Sequence, residues 1–204
     1  MNRNFPHNVI AEAQAAAAEV KSAGPTKLLA FDPSLSRTGW ALLHENGPAI
    51  TLVEFGDFTP KAESLSDRCR ELNRFAARII DATKPEMIAV ELPQARGAKG
   101  PRSAATLPNY GMAVGVVLAA CHDAERETGA KVLTVAADVW GRSTPRGGKG
   151  EAKEGRIQAV RLMFGRDLMD TFKSAERASA VADAALMGRH AITHWRTGLI
   201  GKAG

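Results

Sequence analysis

The alternation of apolar and polar positions predicts three consecutive strands, followed by alternating helices and strands. Short apolar runs at 28–32, 40–44 and 50–58 are typical of strands, and turn-forming residues separate them. Two further runs of this kind follow at 87–91 and 131–137. Three strands in succession and then β–α alternation predict a mixed five-stranded sheet, with three antiparallel and two parallel strands, flanked by helices. The predicted fold class is therefore α/β.

Apolar residues at helical spacing predict four helices around this sheet, at 64–83, 110–128, 153–164 and 174–195. Ser64 is a suitable N-cap for the first of them, and Pro85 ends it. An earlier Ala-rich pattern at 10–23 has too few large apolar residues for a core helix. We therefore expect an N-terminal Ala-rich arm, one domain and a short tail, over 1–25, 26–197 and 198–204.

The composition and charge of the chain indicate its cellular compartment and the class of its binding partner. Of the 204 residues, 45% are hydrophobic, yet no apolar run is long enough to span a bilayer, and the first residues do not form a targeting signal. The two cysteines, Cys69 and Cys121, lie in helical patterns without zinc-site spacing. We expect a cytoplasmic protein with no membrane partner. The formal net charge of +5 and two basic, Gly-rich stretches at 96–102 and 142–156 favour a polyanionic partner.

Three acidic residues occupy positions that this topology would bring together. Asp32 closes the first strand, Glu91 closes the fourth, and Asp183 lies in an otherwise apolar part of the last helix. Each has a purely structural interpretation: a turn residue, a solvated strand end and an exposed helix residue. As a group, however, carboxylates repel one another unless a cation neutralises them. Oxygen ligands of this kind suit Mg²⁺ or Mn²⁺.

The same segments resemble, in order, those of the RuvC-type Holliday junction resolvases, within the RNase H-like nuclease superfamily. LLAFDPSLSRTGWALL is similar to the first hairpin of that family, and MIAVELP to the strand that ends in its catalytic Glu. SAATLPNYGMAVGVVLAA, GGKGEAKEGRIQAVRLMFG and VADAALMGRHAITH are similar to the following helix, the Lys-rich loop with its helix, and the final helix. The divergent loops and the N-terminal arm suggest a phage-type member.

The resemblance implies an RNase H-like fold, a homodimer, and cleavage of branched DNA through two Mg²⁺ ions, for which Mn²⁺ would substitute. It makes Asp32, Glu91 and Asp183 the catalytic metal ligands. The family usually has a fourth acid one helical turn before the last, where this chain has Ser179-Ala180. Glu176 returns to the same helix face and is either a substitute metal ligand or a first-turn acid that stabilises the helix.

The basic stretches become candidate DNA-binding loops, with contacts expected from Arg96, Lys99, Arg102, Arg142, Arg146, Lys149 and Lys153. Lys149 and Lys153 are both candidates for the important lysine of the family. Trp140 is expected in the core or in an interface rather than as a wedge between bases. His190 and His194 are interpreted as surface histidines near a helix end.

The sequence leaves other substrates open. A nuclease of flaps, forks or RNA–DNA hybrids would have the same active site, and the absent fourth acid would also suit a catalytically weak junction-binding protein.

For the expected dimer, the 110–128 helix is the predicted interface, because it combines small and apolar residues at Gly111, Met112, Ala113, Gly115, Val116, Val117, Leu118 and Ala119.

Overall fold

The computed structural model describes residues 26–92, 96–97, 100–101, 106–141 and 152–196. The main sheet contains β1 (Thr26–Asp32), β2 (Thr38–Asn46), β3 (Ala49–Phe58), β4 (Met87–Leu92) and β7 (Lys131–Ala136). A small separate pair consists of β5 (Arg96–Gly97) and β6 (Gly100–Pro101). The strand order in the main sheet is β3-β2-β1-β4-β7.

The pairing of the strands confirms the predicted mixed sheet. β1 pairs with β2, and β2 with β3, in antiparallel orientation, whereas β1 with β4 and β4 with β7 are parallel. The β2–β3 register shifts between Leu42 and Leu43. Because the parallel strands run in the same direction, β1, β4 and β7 all end at one edge of the sheet, which is where ligands bind in open α/β sheets.

Six helices lie in the described ranges: α1 (Leu65–Thr83), α2 (Thr106–Thr128), α3 (Ala137–Trp140), α4 (Ala152–Phe164), α5 (Leu168–Thr171) and α6 (Ala175–Arg196). The Ser64 side chain caps α1 by accepting the Asp67 N–H at 3.0 Å, as predicted. Lys84 ends the helix in a left-handed conformation, and its N–H bonds to the Ile80 carbonyl.

The helices cover both faces of the sheet, and the alternation along each strand divides the core between them. In β1, Leu28 and Ala30 face a cluster that contains the apolar residues of α4 and α6. Leu29 and Phe31 face the opposite cluster, built with α1 and α2. We call these the α6 face and the α2 face of the sheet.

The helix boundaries differ from the prediction mainly at α2, which begins at Thr106 rather than near residue 110. Pro108 lies in the first turn, where a missing N–H leaves no hydrogen bond unmade, so the helix extends through it. The short helices α3 and α5 were not predicted, because four residues give no periodic signal. The predicted arm over 1–25 and the tail over 198–204 lie outside the described residues.

The hydropathy of the helices and the state of the two cysteines can be read from the described residues. None of the helices in the described ranges has the length and hydropathy needed to cross a membrane. Both cysteines are free thiols, with Cys121 buried in α2 and Cys69 partly exposed in α1. Burial raises the pKa of Cys121 to about 12, so this thiol is unreactive at neutral pH.

Candidate active site

Two of the three predicted acids lie side by side on the α6 face of the sheet. Successive side chains of a strand alternate between faces, so Asp32 follows Ala30, and Glu91 follows Ala89, onto the face covered by α6. The parallel register pairs Phe31 with Val90, and the next residue of each strand is the acid. Both carboxylates therefore stand at the edge where β1 and β4 end.

Two glycines allow α6 to approach this edge closely enough to add the third acid. A Cβ at Gly39 would overlap the backbone carbonyl of Ala180, and one at Gly188 would lie 2.6 Å from the Leu43 side chain. Helix α6 therefore rests on β1 and β2 with almost no space between the backbones. Asp183 lies between these two contacts, and its side chain is 15% exposed.

The three carboxylates influence one another strongly. Burial, and then the charges of Asp32 and Asp183, raise the pKa of Glu91 to about 9. Burial and the charge of Asp32 raise the pKa of Asp183 to about 8. Asp32 and Asp183 therefore lie close enough to Glu91 to influence its ionisation, while the role of the three acids as metal ligands stays a prediction. In the absence of a compensating cation, the raised pKa values favour the protonated forms of Glu91 and Asp183 at neutral pH.

Arg156 is a member of this site that the sequence reading missed. Its Nε lies 3.0 Å from Oδ1 of Asp183, and its charge lowers the pKa of both Asp183 and Glu91. Lys153, one turn earlier in α4, lowers the pKa of Asp183 as well. The i, i+3 spacing of these two cations, which places both on one helix face, is the signal that could have identified Arg156.

The oxygen atoms of the site suit a hard divalent cation. Glu91 Oε2 and Asp183 Oδ1 are buried, and neither makes a hydrogen bond of regular geometry within the described residues, although Arg156 Nε lies 3.0 Å from Asp183 Oδ1. Buried carboxylate oxygens with incomplete hydrogen bonding are what Mg²⁺ or Mn²⁺ would satisfy. In the described ranges, however, no three His, Cys, Asp or Glu side chains are arranged around a common point that could hold an ion. The donor chemistry of these carboxylate oxygens therefore fits a metal ion.

Comparison with curated proteins identifies the family. The chain is 33% identical over 164 residues to the crossover junction endodeoxyribonuclease RuvC of Erythrobacter litoralis, and the match covers 79% of this chain and 94% of the relative. The chain belongs to the RuvC family. A second RuvC, from Methylobacterium radiotolerans, is 40% identical over 68 residues, which is 33% of each chain. For the first three relatives, the match spans only 33% to 57% of their length. No protein-family model matches the chain.

Solved structures agree with the RuvC assignment at the level of the fold. The T. thermophilus RuvC in complex with a Holliday junction substrate has a TM-score of 0.65 at 20% identity, with 86% of this chain and 98% of that chain covered. The yeast mitochondrial Holliday junction resolvase Ydc2 has a TM-score of 0.56 at 12% identity, with 92% and 90% covered. These similarities confirm the RNase H-like fold that the motifs implied.

The usual fourth acid of the RuvC family is absent from its expected place, and Glu176 does not move into it. The Glu176 side chain is 70% exposed and lies 3.6 Å from Arg37 and 3.9 Å from Lys153. It is in the first turn of α6, where an acid stabilises the helix. Glu176 is therefore surrounded by cations, and its assignment as a metal ligand stays a prediction without structural support.

Five of the seven predicted DNA-binding residues of this RuvC-family chain lie outside the described residues, namely Lys99, Arg102, Arg142, Arg146 and Lys149. Arg96 is described only as part of the backbone of β5. Lys153 is the exception, because it projects from the first turn of α4 beside the acids, with its side chain 51% exposed.

Two predictions about aromatic and histidine residues have clear outcomes. Trp140 is 3% exposed within the core, as predicted, and its indole N–H lowers the pKa of the adjacent Glu91. The surface assignment of His190 was wrong, because the side chain is buried at 8% exposure. Its burial and the nearby His194, whose ring centroid is 3.9 Å away, lower the pKa of His190 to about 4. The sequence signal for this burial was the run of small residues around it, which lets α6 sink into the core.

The predicted dimer interface on α2 needs a partial correction. Ala113 and Val117 are fully buried in the α2-face cluster, so neither is available to a partner. Gly111, Gly115 and Ala119 are exposed, and a Cβ at either glycine would meet nothing within 4 Å. Met112, Val116 and Leu118 flank them and are half-buried. The outward side of α2 is therefore a stripe of small residues bordered by apolar ones.

Proposed function

We propose that this chain is a metal-dependent endonuclease that resolves Holliday junctions or other branched DNA. The observation that supports this best is the convergence of Asp32, Glu91 and Asp183 at one sheet edge of a RuvC-family chain. These three carboxylates would hold the metal, for which we propose two Mg²⁺ ions. When bound, such ions supply a water of lowered pKa and stabilise the oxyanion that leaves.

The chain's own residues would prepare the site for that chemistry. Glu91 and Asp183, which are protonated at neutral pH in the absence of a cation, would lose their protons when a metal binds. Arg156 holds Asp183 from the side of α4 and offsets part of the carboxylate repulsion. Lys153 is exposed next to the acids and is the described candidate for the loop lysine that contacts a DNA phosphate.

Paired cuts in a four-way junction also need two active sites related by a two-fold axis. We infer a homodimer formed through the exposed stripe of α2, since an isologous contact of a helix with its own copy supplies that axis. Because its proposed substrate is DNA, we also expect the protein in the cytoplasm, where that DNA lies.

The decisive experiment compares substrates and metals. A labelled four-way junction, a fork, a flap, an RNA–DNA hybrid and a linear duplex are incubated with Mg²⁺, Mn²⁺ or EDTA. We expect symmetric paired nicks in the junction with either metal and no cleavage in EDTA. Preferential cutting of the fork, flap or hybrid would replace the resolvase by the less specialised nuclease. Binding of the junction without cutting in either metal would favour a junction-binding protein.

Asp32→Asn provides the matched catalytic variant. Because the carboxylate serves the metal rather than the DNA, we expect cleavage to fall by on the order of 100-fold or more, while junction affinity stays within about threefold of the wild type. Cleavage is measured in Mg²⁺ and binding in EDTA. Cutting at the wild-type rate would remove Asp32 from the site and contradict the proposal.

A further inference from the structure

A second charged site lies next to the acids and takes no part in holding the metal. An open cleft of about 540 Å³ is lined by Arg37, Asp57, Phe58, Thr59, Lys61 and Arg177. Arg37 belongs to the β1–β2 turn, Asp57 to the end of β3, and Arg177 to the first turns of α6. None of these residues was identified from the sequence as functional.

The cleft has an excess of positive charge around one buried carboxylate. Arg177 donates to Asp57 from Nε at 3.0 Å and from Nη2 at 2.7 Å, and Nε of Arg37 lies 3.4 Å from the same carboxylate. The Asp57 side chain is only 5% exposed. Arg177 neutralises Asp57, and Arg37 also lies 3.6 Å from the exposed carboxylate of Glu176, so the charge of Lys61 is the excess positive charge of the cleft.

The arginines are held in place before any ligand arrives. The guanidinium of Arg177 lies 5.2 Å from the ring of Phe172, in addition to its contacts with Asp57. A guanidinium has five N–H donors in a fixed plane, and Asp57 engages only the Nε and Nη2 side of Arg177. The Arg177 side chain is 49% exposed, so the donors on Nη1 are available to a planar or tetrahedral oxyanion.

The position of the cleft relative to the acids follows from the sheet register. Asp32 pairs with Gly39, and Gly39 pairs with Asp57, so the three residues form one row across neighbouring strands. Two interstrand steps separate the backbones of Asp32 and Asp57 by roughly 10 Å. This distance is short enough for one DNA strand to contact both places within a few nucleotides.

We propose that Arg37, Lys61 and Arg177 bind a backbone phosphate of the DNA, within a few nucleotides of the phosphodiester that is cut. The proposal rests on the proposed function for its substrate. Asp57 acts as the anchor that sets the planes of the two guanidinium groups, and Lys61 adds charge at the rim. The site would fix the register of the strand across the sheet edge without reading its sequence.

The competing explanation is that the ion pairs only fasten α6 to β3. That role requires a single Arg–Asp contact and predicts no effect on DNA binding. A phosphate site predicts a lower salt dependence of DNA affinity when its cations are removed, because fewer counterions are released on binding. The slope of log K against log salt therefore separates the two explanations, whereas protein stability alone does not.

The experiment measures binding of a fluorescent four-way junction in EDTA over a series of salt concentrations. The variants are Lys61→Gln and the double variant Arg37→Gln/Arg177→Gln. We expect the slope to fall by about one for Lys61→Gln and by about one to two for the double variant, with weaker binding at each salt concentration. Lys61→Gln removes an exposed side chain that is not part of the Asp57 ion pairs, so it decides the question even if the double variant fails to fold.

Lys84→Gln and Arg126→Gln are the matched controls. Both cations are ion-paired on the surface, with Asp81 and Asp123, at the sheet edge opposite Asp32. They should leave the slope at the wild-type value. A wild-type slope for Lys61→Gln would overturn the phosphate site, and so would a wild-type slope for a folded double variant.

Cleavage assays on the same proteins keep this proposal separate from the proposed function. If the wild type binds the junction with the expected slopes but cuts no substrate in Mg²⁺ or Mn²⁺, the proposed nuclease function fails and the phosphate site stands. If the wild type cuts the junction and the variants keep its slope, the phosphate site alone fails.

Discussion

Glu176 is either a metal ligand or an acid that stabilises the start of α6, and the two roles predict opposite effects of its substitution on cleavage and on stability. It lies in the first turn of α6, between Arg37 and Lys153, and its side chain is 70% exposed. We expect Glu176→Gln to keep cleavage within about threefold of the wild type and to lower the free energy of unfolding by about 0.3–1 kcal/mol, through loss of its interaction with the helix N-terminus. Cleavage kinetics and thermal denaturation measure the two effects. A loss of activity by orders of magnitude without loss of stability would make Glu176 the fourth ligand.

Glu91 links the active site to stability through pH. Its pKa rises from 4.5 to about 9 on folding, so the folded state favours the protonated form. The protein therefore loses stability as the pH rises from about 4.5 towards 9, because ionising Glu91 costs more in the folded than in the unfolded chain. We expect Glu91→Gln to raise the melting temperature at pH 8 in EDTA and to flatten its decline with pH.

Scanning calorimetry from pH 5 to 9 in EDTA tests this expectation, with Glu127→Gln as a surface control. Addition of Mg²⁺ should stabilise the wild type more than Glu91→Gln, since the ion binds only the folded site. Identical pH profiles for the wild type and Glu91→Gln would contradict the assignment of Glu91 to a buried carboxylate cluster.

The three acids could be predicted from the sequence because each interrupts or ends an apolar segment. Asp32 and Glu91 end apolar strands, and Asp183 interrupts an apolar helix. The partners that modify them could not, since Arg156 reaches Asp183 only through the packing of α4 on α6. The contact of Arg177 with Asp57 joins residues 120 apart in sequence, and it depends on where α6 crosses the sheet. The place where α6 crosses the sheet cannot be predicted from any short segment of the sequence.

At the scale of elements, Gly39 determines how closely α6 can approach the sheet. A methyl group there would overlap the carbonyl of Ala180, a backbone atom that moves only with the helix. We expect Gly39→Ala to destabilise the protein by about 1–3 kcal/mol. We also expect a lower cleavage rate, because the displaced residue Ala180 is only three positions before Asp183. Urea denaturation and cleavage kinetics measure the two effects.

Gly111→Ala is the matched control for the stability measurement only, because Gly111 belongs to the α2 stripe that the proposed dimer would use. Gly111 lies in α2, and a Cβ there meets no atom within 4 Å. The added methyl group should stabilise the helix by up to about 1 kcal/mol, because alanine has the higher helix propensity. If Gly39→Ala were as stable and as active as the wild type, the close approach of α6 would not be what positions Asp183.

The order and type of the large elements could be predicted from the apolar periodicities, but the depth of burial of α6 could not. Its abundant alanines give little amphipathic signal, and His190 near its end suggested a solvent-facing surface. In the structure, α6 is buried along most of its length, since small residues let it lie directly on β1 and β2. Close packing of backbones is a property of two surfaces together, and one segment of sequence describes only one of them.

At the scale of the whole molecule, the proposed dimer depends on the exposed stripe of α2. We expect Gly115→Glu to prevent dimerisation, because a charged side chain would be placed where two helices meet. Sedimentation equilibrium at micromolar concentration, with and without junction DNA, measures the oligomeric state. Glu125→Gln, on the exposed surface of the same helix, is the control. A monomeric wild type under both conditions would contradict the dimer and the paired cuts with it.

The order of the elements also determines when the active site can form during synthesis. Asp32 and Glu91 lie in strands that are made early, whereas Asp183 lies in α6, which follows every strand of the main sheet. At about 5–20 residues per second, the ribosome adds Asp183 roughly 8–30 s after Asp32. Until then, the α6 face of the sheet lacks its cover, and the nascent chain carries only two of the three carboxylates. Folding of the last helix therefore completes the α6 side of the core and adds the third carboxylate of the proposed site.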